Sequence, residues 1–588
     1  MGSNITKIQF IRNKLMSHFP IIYLLSKPNK QTFDNIKGYN TIKKYDLFDK
    51  NYYLNKYKDV KDSGMNPIIH YMLYGFKEGK KPNKNFDGIY YSHKYADALN
   101  SKLSPLVHYS LYGIQEDRNY KLNQNIFPLI PFETTIDILN NFADSNLSKS
   151  QLIINIQKQL ETINYHSFNQ FNYKNSKKRI LYLVHEKIGN FGGTGFTNND
   201  IIDNIQDSYE CFILTSTGEE LELWKKDYDH FEKLGQWDVN LTDDLSSEEN
   251  INFKKQIYSN ELLSIYFTII VNLNIDLIHI NHLINHTFDI AEVAKKLKIP
   301  VVLSIHDFYY ICPSIHLLNK NHEYCNLICN NNDWTCGGIN SVKESNLKNT
   351  IQSWRNESFN FLNNCSIIIT PSQSSADIYK IQYPNIKTNI KIIEHGRDLP
   401  KRLNYSSFPK KGKIKILFPG YIGMHKGSLL IRDLKKIDKD NKFEFHFIGT
   451  SYPSLKSYGK NHGRYVRDDF GKFVRNINPS FIGIFSTIPE TYSHTLTESW
   501  NCGVPVLATN LGALKERISK TGGGWLVDYQ SPKKIYDKIM SIVESPEEYN
   551  EVVNNISKIK FKSKKEMANE YKEIYDNLTF EEENLKNV

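Results

Sequence analysis

Residues 490–510 read ETYSHTLTESWNCGVPVLATN, two residues after the apolar run FIGIFST at 481–487. Two carboxylates, Glu490 and Glu498, are separated by seven residues. Glu490 lies in the turn after the apolar run. Glu498 lies within a helix expected from about Ser493 to Cys502, and GVPVLATN then returns as a second buried strand. The helical repeat places the two acids about two turns apart, so they reach different parts of one extended ligand. Carboxylates are strong acceptors for hydroxyl groups, so a ligand rich in hydroxyls is expected. Strand, turn, helix, strand is the unit of a doubly wound parallel sheet, which binds ligands at the carboxyl ends of its strands.

Working outward, the same unit recurs. RILYLVHE, ECFILTS, DLIHIN, PVVLSIHD, SIIITPS and IKIIEHG form one series from residue 178. KIKILFPGY, FEFHFIG, PSFIGIFST and GVPVLATN form a second, after the polar stretch KRLNYSSFPKKG. Several runs are rich in Ile, Val and Leu without polar alternation, as expected of parallel strands buried on both faces. The expected fold is α/β, with two doubly wound Rossmann-like domains facing a cleft, over residues 177–402 and 403–560.

Three further stretches carry chemistry at strand ends. GNFGGTGF, 189–196, brings Gly193, Thr194 and Gly195 to a helix start, where backbone N–H groups can meet an anion. It is not GxGxxG, and no acidic residue closes a ribose site after ECFILTS, which disfavours an NAD enzyme. PVVLSIHDFYY places His306 and Asp307 just past a buried strand. KIKILFPGYIGMHKGSLLIRDL gives strand, Gly420, loop, Lys426-Gly427 and helix, and a lysine there is well placed to hold a pyrophosphate. The alternatives are a structural histidine and a solvated lysine.

The 588 residues carry a net charge of +10, 40% hydrophobic and 23% charged residues. No zinc-finger spacing, basic stripe or aromatic RNA-binding signature points to nucleic acid. Seven cysteines without a secretory signal favour a reducing cytoplasm, and no run reaches the ~20 apolar residues of a spanning helix. Residues 1–44 hold eight Lys/Arg and one Asp, with FPIIYLL at 19–25. This basic segment reads either as a frayed terminus or as a peripheral contact with an anionic inner membrane face.

Residues 45–120 contain a repeat. FDKNYYLNKYKDV from Phe48 returns as FDGIYYSHKYADA from Phe86, and Pro67, His70, Tyr71 and Gly75 return as Pro105, His108, Tyr109 and Gly113. Each copy reads as two short helices packed through Tyr and His rings. The alternative is a platform for sugars or for a protein partner or second copy. Residues 121–176 read as a helical linker and 561–588 as a C-terminal helix that crosses back to the first domain.

Cys312, Cys325, Cys329 and Cys336 crowd one segment. Their spacing departs from CxxC…CxxC; the expectation is reduced thiols packing a loop, with zinc as the alternative. DYD at 227–229 is placed in a polar stretch, away from any strand end, and read as chance.

At these residues the chain resembles the retaining glycosyltransferases of family 4, which have the GT-B fold. Glu490 and Glu498 match the family's Glu-x7-Glu, and Gly420 to Gly427 match the spacing of its Gly-Arg-x4-Lys-Gly turn. EHGRDL at 394–399 resembles its interdomain turn. The likeness covers about residues 178–545, and the tandem modules look like those appended to bacterial surface-polysaccharide glycosyltransferases. Tyr421 stands where the family has Arg, and Ser493 where it has Gly. The missing charge is then expected from Arg397, Arg464 or Arg467.

The resemblance implies a UDP- or GDP-linked sugar as donor and a glycan, lipid-linked or protein acceptor in surface-polysaccharide or glycoconjugate synthesis, with no cofactor and no obligatory metal. Glu490 would contact the transferred sugar and Glu498 the ribose. Lys426 would neutralise the diphosphate, with N–H groups around His494, Thr495 and Leu496. His306 would face the sugar. A nucleotide-sugar epimerase of the same fold and a non-catalytic glycan-binding remnant stay open as alternatives.

Overall fold

The computed structural model describes residues 20–25, 31–142, 145–163, 165, 177–189, 192–241, 257–313, 315–319, 321, 323–329, 350–405, 408–409, 412–465 and 469–584. It contains two sheets. The first comprises β1 (Lys178–Val184), β2 (Tyr209–Ser216), β3 (Glu220–Asp227), β4 (His230–Asp238), β5 (Leu277–Ile280), β6 (Val301–Ser304), β7 (Ile367–Thr370) and β8 (Ile390–Ile392). Their order is β4-β3-β2-β1-β5-β6-β7-β8. The second comprises β9 (Ile414–Ile422), β10 (Phe443–Ser451), β11 (Lys460–Asn461), β12 (Phe481–Ile484), β13 (Val506–Thr509) and β14 (Gly524–Val527). Its order, β11-β10-β9-β12-β13-β14, is wholly parallel and reverses direction between β9 and β12. In the first sheet the corresponding switch lies between β1 and β5. Both sheets are therefore Rossmann-like, with ligand crevices expected where the order reverses.

The strands follow from their composition. β5, β6, β12 and β13 are buried at every position, as parallel strands covered by helices on both faces must be. The helix Asn260–Leu273 covers one face of the first sheet. It is buried from Leu262 to Leu273.

β3 and β4 correct the sequence reading. LWKKDYDHFEK is an antiparallel hairpin, with Tyr228 in the left-handed region at φ 51°. Asp227 thus ends a strand, contrary to expectation. Because Lys226 pairs with Cys211 near the start of β2, DYD lies at the end of the sheet opposite its carboxyl edge. Its lysines are not solvated: Lys233 is buried between Asp87 Oδ2 (2.6 Å) and Glu222 Oε1 (2.9 Å).

The segment 121–176, expected as a helical linker, contains two helices. Its helices Phe132–Asn141 and Lys149–Thr162 bury Ile138, Leu139, Leu152, Ile153, Ile156 and Leu160 in the core of the first sheet. The helix Lys564–Asn584 packs Met567, Ala568, Tyr571 and Tyr575 against the other face of that sheet. Tyr575 Oη shares a 2.6 Å hydrogen bond with His279 Nδ1.

The two copies share several contacts. The side chains of Asp49 and Asp87 accept from Tyr52 N and Tyr90 N at the helix starts. Tyr53 and His70 share a 3.0 Å hydrogen bond, as do Tyr91 and His108. The second helix of each copy is not a plain helix: it continues as a π-helical turn, Tyr71–Gly75 and Tyr109–Gly113. A Cβ on Gly75 would lie 2.2 Å from the Tyr53 hydroxyl, so the ring occupies the space a side chain would need.

The helix Thr32–Lys44 shares this core through Tyr39 and Ile42, as does Leu24 of FPIIYLL, while Ile22 and Leu25 are exposed. Part of the basic N-terminal segment thus belongs to the repeat unit. Residues 1–19 lie outside the described residues. Among the described residues, no helix is long and apolar enough to cross a membrane.

Candidate active site

The carboxyl ends of β9 and β12 meet at the strand-order reversal of the second sheet. β9 runs into the turn Met424–Lys426, and Gly427 takes φ 76° before the helix Ser428–Ile437. A Cβ at Gly427 would lie 2.0 Å from the Phe485 carbonyl oxygen, so this turn can press against the end of β12 only with glycine there. The arrangement brings the Lys426 ammonium onto the Glu490 carboxylate. Ser486 donates a second hydrogen bond to the same carboxylate oxygen, and the Glu490 carbonyl accepts from Ala513 N at 2.9 Å. Burial opposes ionisation of Glu490, but the Lys426 charge overrides it and holds the carboxyl below its usual range.

Glu498, four residues into the helix His494–Asn501, pairs with Arg397, and both side chains are only 8% exposed. Both acids of the opening stretch are thus neutralised by a cation. Leu496 is fully buried in the core, so any contribution to a ligand comes from its backbone. The Thr495 carbonyl is taken by Ser499 Oγ (2.7 Å). Ser493, before the helix, sits at φ 72°, ψ 88°. That is glycine territory held by a serine, at a usual cost of about 1–2 kcal/mol. Arg517 braces it, donating to the carbonyls of Tyr492 (3.0 Å) and Ser493 (2.9 Å).

The first domain meets this region through His306, at the end of β6. Thr491 Oγ1 donates to the His306 carbonyl at 2.8 Å. The rings of His306, His395 and His494 form a stack, with centroids 5.6 Å and then 5.1 Å apart. Nearby, His316 of the first domain stacks on His425 of the second at 4.2 Å. Asp307 instead pairs with His282 (2.8 Å) and accepts from Tyr309 N (2.8 Å).

Gly193, Thr194 and Gly195 form the first turn of the helix Gly193–Ile205. The N–H of Gly192, just ahead of it, donates to the Glu186 carboxylate at 2.8 Å. Among the described residues, a Cβ on Gly193 would meet nothing within 4 Å. Burial raises the Glu186 pKa. Arg464 is exposed and extends toward Glu78 of the first repeat at 3.9 Å. Tyr421 is 62% exposed. Arg467 lies outside the described residues.

Cys312 is buried, and Cys325 and Cys329 are half-buried. Arg355 donates to Cys329 Sγ at 3.2 Å. Burial pushes the Cys325 thiol up to about 11, so it is protonated at neutral pH. Cys336 lies outside the described residues, among which no group of three or more His, Cys, Asp or Glu is arranged to hold a metal ion.

Sequence reasoning missed Ser486, Glu186, Arg517 and the His316–His425 stack. Arg517 lies in GALKERISK, which reads as an ordinary helix with a solvated face; nothing local marks it as buried. Ser486 could have been found from its place at the end of β12, beside Glu490.

Burial lowers the imidazole pKa of His279 to about 3 and of His286 and His306 to about 4. The unfolded chain takes up these protons near pH 6.5 and the folded chain does not until about 4. The unfolded state thus binds more protons below pH 6.5, and this contribution to stability is present above that value and lost as the pH falls toward 4. Thermal unfolding is expected to show a steady fall in Tm between pH 7 and 5. A flat profile across that range contradicts the assignment of neutral, buried imidazoles.

Residues 244–401 match the family model described as Glycosyltransferase Family 4, and residues 403–559 the model described as Glycosyl transferases group 1. A protein of Escherichia coli K12 named "Putative colanic acid biosynthesis glycosyl transferase WcaC" is 28% identical over 162 residues, 26% of this chain and 38% of that protein. An uncharacterized 41.2 kDa protein of the Klebsiella pneumoniae cps region is 27% identical over 169 residues, 28% of this chain and 47% of that protein. The chain therefore spans less than half the length of these relatives. Among solved structures, Anabaena Alr3699/HepE in complex with UDP and glucose aligns over 68% of this chain and 100% of its own, at 14% identity and a TM-score of 0.46.

Proposed function

We propose that this chain, a glycosyltransferase of GT-B fold by its two matched domains and paired Rossmann-like sheets, moves a sugar from a nucleotide donor to a glycan, lipid-linked or protein acceptor with retention at the anomeric carbon. The observation that carries the reading is the Lys426–Glu490 pair at the carboxyl ends of β9 and β12, next to Thr491, which donates to the His306 carbonyl of the facing domain.

In this reading the bond between the anomeric carbon and the donor diphosphate breaks while the acceptor oxygen bonds to the same face of that carbon. The acceptor proton leaves with the diphosphate. Lys426 and the N–H groups at the start of the helix His494–Asn501 stabilise the charge that develops on the departing phosphate, as fixed donors do for a leaving group. Glu490, released from Lys426, accepts hydroxyls of the transferred sugar. Glu498, oriented by Arg397, accepts ribose hydroxyls. His306 is neutral at pH 7 and presents an uncharged ring to the sugar. The compensating charge is assigned to Lys426 rather than to a bound cation. A role in surface-polysaccharide synthesis is supported by the colanic acid name of the WcaC relative.

Calorimetric titration with a panel of UDP- and GDP-sugars tests the donor assignment. One donor is expected to bind, and to release its nucleotide slowly with water and faster with an acceptor extract. No binding by any member of the panel contradicts the reading.

A further inference from the structure

The chain crosses between domains twice, at residues 394–402 and again near 559–563. The two crossings run side by side: Arg397 N donates to the Lys562 carbonyl at 2.8 Å. Beside them lies a cavity of about 340 Å³, which Arg397, His494, Thr497 and Trp500 help to line and to which neither Lys426 nor Glu490 contributes. That volume falls within the range of small-ligand sites.

Its charge is one-sided. Arg397, Arg517, Lys520, Lys558, Lys560 and Lys562 contribute to the wall, against the single carboxylate of Glu394. Three of these cations are balanced: Arg397 by Glu498, Lys520 by Glu394 and Lys562 by Glu570. The other three are not. Among the described residues, Lys558 and Lys560 pair with no carboxylate; both are exposed at the rim.

Arg517 is the telling one. It is 9% exposed, and its guanidinium is held by neutral oxygens: the Tyr492 and Ser493 carbonyls, the Tyr492 hydroxyl (3.3 Å) and Thr497 Oγ1 (2.7 Å). The rings of Tyr492 and Trp500 flank it at 4.0 Å and 5.2 Å. Neutral acceptors satisfy its donors but leave its charge uncompensated, which is costly for a buried cation. An anion in the cavity supplies what is missing, and an arginine–phosphate contact is the strong form of that pairing.

We propose that this cavity binds a small phosphate-bearing anion of about the size of a sugar phosphate, at a site separate from the Lys426–Glu490 crevice. The phosphate lies toward Arg517 and the rim lysines. The ring lies along the aromatic wall of Tyr492, Trp500 and Phe561. Because both crossings line the site, its occupant touches the segments that any domain closure must bend.

The test is calorimetric titration of the full chain with inorganic phosphate, inorganic pyrophosphate and glucose 6-phosphate. The rim variant Lys558→Glu/Lys560→Glu alters only exposed side chains, and its Tm, compared with wild type, checks the fold. Glucose 6-phosphate is expected to bind the wild type and to weaken about tenfold or more in the rim variant, since reversing two charges at the mouth repels the anion. In Lys426→Ala its affinity is expected to stay within about twofold. Absence of binding by all three probes overturns the proposal. So does equal binding in wild type and rim variant, or a comparable loss in Lys426→Ala, which places the anion in the donor crevice. These outcomes do not depend on whether a nucleotide sugar binds.

Discussion

Lys426→Ala is expected to lower sugar transfer by about 10²–10³-fold, the usual loss when one preorganised donor to a developing charge is removed. Two effects combine. The leaving diphosphate loses its cation, and Glu490 loses the charge that holds its carboxyl in the ionised form. Glu490→Gln separates them. It keeps the shape and the contact with Ser486 while removing the charge. Because the two side chains form one pair, the double variant Lys426→Ala/Glu490→Gln is expected to lose less than the product of the single losses. Initial transfer rates with the donor found by titration measure this, with thermal unfolding as the control for folding. Near-normal turnover in Lys426→Ala places the chemistry elsewhere.

Gly396→Ala carries the second large effect, on stability. A Cβ at this position would lie 2.1 Å from the Ser563 carbonyl oxygen and 2.8 Å from Met567 Cβ. The first joins the two interdomain crossings and is backbone that no rotamer change can move; the second meets the helix Lys564–Asn584. Overpacking of this kind costs about 1–3 kcal/mol, and more when main chain must shift. A fall in Tm of several degrees is expected. Gly193→Ala is the matched control, since its Cβ would meet nothing within 4 Å. Equal Tm values for the two variants rule out the close approach at residue 396.

What the sequence revealed and concealed follows one physical line. Buried parallel strands are legible because they are short runs dominated by Ile, Val, Leu and Phe without polar alternation: LIHI, VVLS and FIGI announce β5, β6 and β12. The turns after such strands inherit their positions, so the sequence places His306 at the carboxyl edge of the first sheet and Lys426 and Glu490 at that of the second. The hairpin of β3 and β4 was hidden because its lysines and glutamates mimic a solvated loop. Their partners, Asp87 and the lysines of the repeats, lie more than a hundred residues away. Arg517 was hidden for the same reason: its burial is created by Tyr492 and Trp500, and no local pattern encodes it. The helices within 121–176 show an apolar periodicity, but periodicity alone does not say which core it meets.

The junction between the repeats and the first sheet has a consequence for anyone who would trim the chain. β4 is the outermost strand of its sheet. Ile126 donates to the Leu234 carbonyl, and Asn125 accepts from Gln236 N. Removing everything before residue 177 would strip those bonds and leave the Leu234 carbonyl and the Gln236 N–H unpaired on an edge strand, the kind of border that recruits other strands. It would also leave Lys233 and Glu222 without Asp87, as a broken triad facing water. The N-terminal third is in this sense a selvedge, and a version cut down to the two paired domains would fray by self-association before its chemistry could be measured.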